Sequence, residues 1–126
     1  MRLLLDSHVV LWWLDDNPAL GRACRQAIAD AEVAYVSVVS PWELGIKRAL
    51  GRLSYPDGLL RRLAESGFEL LAISGTHAET APELPLHHRD PFDRMLIAQA
   101  QSERLTIATA DGSFGAYDVE LIDARI

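Results

Sequence analysis

The chain has 126 residues, 49% of them hydrophobic, which fits one domain, residues 1–126, with a core of ordinary size. No uninterrupted apolar run approaches the roughly 18 residues of a membrane span, and the single cysteine, Cys24, excludes an intrachain disulfide and every multi-cysteine metal motif. A net charge of −6 argues against a broad basic surface for nucleic acid, an objection that weakens where clustered acids bind cations.

The apolar run at the N-terminus is interrupted by Asp6 and His8, and no small-residue cleavage site follows it, so a cytoplasmic protein is expected rather than a signal peptide. Leu3 to Leu5 predicts a buried strand ending at Asp6. Ser7 is placed to cap the next helix, which carries Val9, Val10, Trp12, Trp13 and Leu14 and stops at Asp15-Asp16-Asn17-Pro18. Leu20, Ala23, Cys24, Ala27, Ile28 and Ala31 recur at helical spacing, with Arg22, Arg25, Gln26 and Asp30 opposite. This second helix reads as core packing, with Cys24 as a small buried hydrophobe.

Tyr35 to Val39, rich in aromatic and β-branched residues, predicts a second strand. It leads into SPWELGIK, where Ser40 reads as an N-cap, Pro41 as the first helical residue and Glu43 as the third. A capping box with Ser40, or an ion pair with Lys47 one turn later, would each account for Glu43. The apolar residues Trp42, Ile46, Ala49 and Leu50 are expected to be buried. Tyr55 to Gly58 is a turn. Leu59, Leu60 and Leu63 then form the inner side of a helix ending near Gly67, and Phe68 to Ile73 a third strand. A short helix and a loop closed by Pro82 and Pro85 follow.

The stretch from His88 to Ala100, HRDPFDRMLIAQA, repeats the grammar of the Glu43 segment. Asp90 caps, Pro91 opens the helix, and Asp93 sits in the first turn, where free N–H groups favour a carboxylate. Met95, Leu96, Ile97, Ala98 and Ala100 leave almost no polar face, so a buried helix begins with a carboxylate at its mouth. His87 and His88 are adjacent on a loop, where side chains usually diverge, so metal binding by the pair is disfavoured. Leu105 to Ala108 predicts a fourth strand, followed by Thr109-Ala110-Asp111-Gly112, and Val119 to Ile122 a fifth.

Strands alternating with helices predict an α/β three-layer sandwich, a mostly parallel central sheet of about five strands flanked by helices. The functional crevice of such a sheet lies beyond the carboxyl ends of its strands. Asp6 and Asp111 follow strands, and Glu43 and Asp93 open helices, so four acids from four segments converge there. Each alone could be a turn or cap residue. Together, two carboxylates about 4 Å apart repel by about 4 kcal/mol at an effective dielectric near 20, which a hard divalent cation such as Mg²⁺ would relieve. Such a site can activate a water and neutralise charge on a phosphodiester, with Ser7 and Thr109 placed to orient carboxylates or waters.

The segments LLLDSHVVLWWL, SVVSPWELGIK, HRDPFDRMLIAQA and TADGSFGAY resemble the four acidic motifs of PIN-domain ribonucleases, most closely the VapC-type toxins of bacterial toxin–antitoxin pairs. The resemblance covers essentially the whole chain. It implies that Asp6, Glu43, Asp93 and Asp111 are catalytic metal-binding acids, with Asp90 a helix cap beside the site and Arg94 at its edge, contacting substrate or a carboxylate. It implies Mg²⁺- or Mn²⁺-dependent RNA cleavage, a homodimer, and a cognate antitoxin that covers the site. From charge alone, Arg48, Arg52, Arg61, Arg62, Arg89 and Arg94 are candidate phosphate contacts. A metal-activated water would leave 5′-phosphate and 3′-hydroxyl ends. Two rival readings are a non-catalytic PIN-like binding module and a phospho-accepting receiver domain. The receiver requires a lysine late in the chain, whereas the only lysine is Lys47.

Overall fold

A computed structural model describes residues 1–126. Five strands, β1 (Arg2–Leu5), β2 (Val33–Ser37), β3 (Glu69–Leu71), β4 (Thr106–Thr109) and β5 (Glu120–Asp123), form one sheet in the order β3-β2-β1-β4-β5. Every pairing is parallel, so the sheet is wholly rather than mostly parallel. Helices α1 (Ser7–Leu14), α2 (Arg22–Asp30), α3 (Val39–Ala49), α4 (Leu59–Glu65), α5 (Gly75–Thr80) and α6 (Pro91–Glu103) complete it, with 3₁₀ turns at Ala81–Glu83 and Gly112–Ala116. None of these helices is long and apolar enough to cross a membrane.

The alternation of side chains along a strand builds the two apolar layers. Leu3 and Leu5 join Val9, Val10, Ile28 and Leu44 on one face of the sheet. Leu4, between them, joins Leu96, Ile97, Ile107 and Phe114 on the other. The central strand is buried on both faces because helices cover both, as parallel sheets require. Cys24 lies in the first layer, 3% exposed. The chain leaves β1 toward β2 and β3 on one side and returns to β4 and β5 on the other. The order reverses at β1, and a crevice opens where β1 and β4 end.

The third helix departs from the expectation. Strand β2 ends at Ser37, whose Oγ accepts from Val39 N at 3.2 Å, so the helix begins before Ser40 and Pro41. Ser40 is therefore inside α3, buried, and its Oγ has no hydrogen-bond partner. The capping box is absent, whereas the Glu43–Lys47 pair forms at 3.0 Å. The inward stripe is Val39, Ser40, Glu43 and Leu44. Trp42 and Leu50 are 63% and 62% exposed, and Ile46 and Ala49 are not buried either. Here polarity does not predict the inner face, because the buried face carries Ser40 and the Glu43 carboxylate. Leu60 is likewise exposed, leaving Leu59 and Leu63 to hold α4.

Candidate active site

Asp6 ends β1 at the sheet's switch point and is 5% exposed. Burial pushes its carboxyl above the ordinary range, opposed by a hydrogen bond from Thr109 Oγ1 to Asp6 Oδ2 at 2.7 Å. The same Thr109 oxygen accepts from Asp111 N at 3.0 Å, so one hydroxyl ties together the two acids that follow β1 and β4. Ser7 opens α1 rather than capping it, and its Oγ donates to Glu43 Oε1 at 3.0 Å. Glu43, 5% exposed, keeps Lys47 Nζ on its other oxygen.

Asp90 is the helix cap the sequence predicted: its Oδ1 accepts from Phe92 N at 2.8 Å and Asp93 N at 3.2 Å. The cap fixes Asp93 in the first turn of α6 and turns its carboxylate into the crevice. Burial first, then repulsion from Asp6 and Asp90, pushes the Asp93 carboxyl up to about 7, against a stabilising hydrogen bond with His88. Asp111 is more open. Ser113 donates to its Oδ1 from both N (2.9 Å) and Oγ (2.6 Å), and these bonds hold the carboxyl below the usual range. The four acids share a crevice of about 480 Å³ with Ser7, Asp90, His8, Trp12, His88 and Arg125.

His88 stands beside the acids, a position its sequence neighbours do not reveal. The two histidines do diverge: His87 lies edge-on to Tyr117 at 5.2 Å, while His88 Nε2 is 2.7 Å from Asp93 Oδ2. His8 and Arg125 also line the crevice unanticipated. His8 sits two residues from Asp6, a local clue, whereas Arg125 arrives from the far end of the sequence.

Arg94 corrects the expectation of a substrate contact. Its side chain is buried and turned away from the crevice into the loop before α6, donating to the carbonyls of Ala81, Pro82, Leu84, Pro85 and His88 at 2.7–3.2 Å. It meets Tyr117 Oη at 3.3 Å and contacts no carboxylate. Arg89 is exposed and outside the crevice lining. Of the other arginines proposed from charge, Arg48 pairs with Asp57, Arg61 with Glu65, and Arg62 donates to Leu14 O.

The donor set fits a hard divalent cation. Four carboxylates from four segments line one crevice with one lysine among them, and burial raises the carboxyls of Asp6 and Asp93, a cost that a bound cation would relieve.

Comparison with known proteins bears on the family and the fold. The family model described as PIN domain matches residues 3–120. Ribonuclease VapC22 of Mycobacterium tuberculosis (strain ATCC 25618 / H37Rv) is 34% identical over 117 residues, covering 86% of each chain. Among solved structures, VapBC2 from Rickettsia felis, bound to a DNA fragment from its promoter, superposes with a TM-score of 0.73 at 15% identity, covering 98% of both chains. VapBC-5 of Mycobacterium tuberculosis, described as a toxin–antitoxin system, gives 0.60 at 25% identity over 98% of this chain and 99% of that one.

Proposed function

We propose, from the premise that this chain belongs to the PIN-domain family, that it is a divalent-metal-dependent endoribonuclease, the toxin of a toxin–antitoxin pair. The observation that carries the reading is the convergence of Asp6, Glu43, Asp93 and Asp111 on one crevice at the switch point of the sheet. A bound Mg²⁺ or Mn²⁺ would supply charge neutralisation at a phosphodiester and activation of a water for hydrolysis. The chain's own residues do the rest. Asp6 and Asp93 would hold the cation, with Glu43 and Asp111 flanking them. Thr109 and Ser7 fix the carboxylate rotamers of Asp6 and Glu43, and Asp90 fixes the helix end that presents Asp93. Lys47 and Arg125 at the crevice supply positive charge for the phosphates on either side of the scissile bond, and His8 lines the crevice beside them.

The partner is a cognate antitoxin, by analogy with VapBC-5 from Mycobacterium tuberculosis, a member of the VapBC family of toxin–antitoxin systems. We place the protein in the cytoplasm with its RNA substrate. Trp42 and Ile46 on α3 and Leu50 just past its end, spaced one helical turn apart and exposed, support a homodimer contact, and Trp42 is steadied edge-on by Phe92 at 5.3 Å. Sedimentation of the free protein as a monomer at micromolar concentration would contradict the dimer.

Two experiments address the chemistry. Fragments of total RNA should carry 5′-phosphate and 3′-hydroxyl ends, whereas 2′,3′-cyclic phosphates would mean attack by the RNA's own 2′-hydroxyl and would refute the hydrolytic reading. Thr109→Val removes the hydroxyl between Asp6 and Asp111 at almost constant volume, and Mg²⁺ affinity should fall about 10–100-fold with the fold retained. Unchanged affinity, measured by calorimetry, would remove Thr109 from the supporting set.

A further inference from the structure

The four acids leave His88 unexplained. Its backbone is held on both sides: His88 N donates to Tyr117 Oη at 2.9 Å, and His88 O accepts from the buried Arg94 guanidinium at 3.1 Å. The ring lies edge-on to Phe114 at 6.1 Å. Thus fixed, it aims Nε2 between two carboxylates, 2.7 Å from Asp93 Oδ2 and 3.6 Å from Asp111 Oδ2. Asp111 is set for the same point, since Ser113 occupies its Oδ1 and leaves Oδ2 free. The three donor atoms, from three segments, lie within 4.8 Å of one another. Adjacent ligands of an octahedral ion with bonds of about 2.1 Å stand about 3 Å apart, and the 2.7 and 3.6 Å separations of His88 Nε2 from the two carboxylates bracket that spacing.

We propose that His88 is a direct metal ligand, its Nε2 joining Asp93 and Asp111 in a mixed nitrogen–oxygen seat that gives this chain a preference for Mn²⁺ over Mg²⁺. Mg²⁺ is bound through oxygen, whereas imidazole is a good donor to transition-metal ions. On binding, the neutral ring carries its proton on Nδ1 and presents the Nε2 lone pair. The inference rests on the metal-dependent nuclease reading, and its test separates the two.

The full chain is loaded with Mn²⁺ and examined by pulsed electron paramagnetic resonance for nitrogen hyperfine coupling, with Mn²⁺ and Mg²⁺ affinities measured by calorimetry for wild type and His88→Gln. The expected results are a directly bound nitrogen in wild type that is lost in the variant, and Mn²⁺ affinity lowered about 10–100-fold. Mg²⁺ affinity should change less than about threefold. Mn²⁺ bound without nitrogen coupling overturns the ligand assignment and leaves the nuclease reading intact. A nitrogen signal that vanishes in His8→Gln instead, or equal loss of both metals in His88→Gln, overturns it too. Failure of wild type to bind Mn²⁺ or Mg²⁺ at all overturns both. The wild-type spectrum with the His8→Gln control decides the matter even where His88→Gln does not fold.

Discussion

Asp93→Asn should make the metal-free protein more stable at pH 8 while abolishing its response to Mg²⁺. The Asp93 carboxyl titrates near 7 in the folded chain against an ordinary value of 3.8, because burial and the neighbouring Asp6 and Asp90 disfavour its charge. As pH rises through that window the unfolded chain releases its proton first, so the native state loses stability progressively from about pH 4 to pH 7. The penalty is complete above pH 7. Asparagine carries no charge to bury, and the gain should be on the order of 1–3 kcal/mol at pH 8, a rise of several degrees in Tm. At pH 5 most of that gain should vanish. In wild type, Mg²⁺ should supply the missing stabilisation, about 2.7 kcal/mol at 100 times Kd. Thermal unfolding at pH 5 and pH 8, with Mg²⁺ or EDTA, measures all of this. A variant less stable than wild type at pH 8 in EDTA would show that the carboxylate is not under electrostatic strain.

Arg94→Ala should be the most damaging single truncation outside the apolar layers. The guanidinium satisfies five backbone carbonyls between Ala81 and His88 and keeps the loop in one conformation. Each buried acceptor left unpaired costs about 1–3 kcal/mol, although loosening of the loop lets water reach some of them. The expected loss is about 3–4 kcal/mol in urea denaturation. Arg94→Lys should recover only part of it, since an ammonium has three donors without the planar fork. A loss below about 1 kcal/mol would mean the loop is held elsewhere, by Tyr117 Oη on Pro85 O at 2.6 Å. Because the loop delivers His88 to the acids, cleavage by Arg94→Lys should fall more than its stability implies.

What was legible in the sequence was what local chemistry controls. Asp90-Pro91 marks a helix start because a cap and a proline act within one turn, and the structure reproduces it. Asp6 and Asp111 were placed at strand ends because short apolar runs and turn residues bound them, and the sheet's switch point then brings them together. What failed was non-local. The start of α3 was set by Ser37, on the preceding strand's end, and its inner face by the site rather than by hydrophobicity. Arg94 looked like a free cation beside an acidic site, since carbonyl acceptors from a loop ten or more residues back leave no sequence signal. His87 and His88 diverge, as expected of neighbours on a loop, but local sequence gives no sign that His88 is the one facing the acids.

The central claim, that the acidic crevice cleaves RNA with a divalent metal, is tested most directly by incubating total cellular RNA with purified protein in Mg²⁺ or EDTA, comparing wild type with Asp93→Asn. Discrete fragments are expected from wild type in Mg²⁺ alone, and none from the variant under either condition. Equal cleavage by both proteins, or cleavage that persists in EDTA, would contradict it.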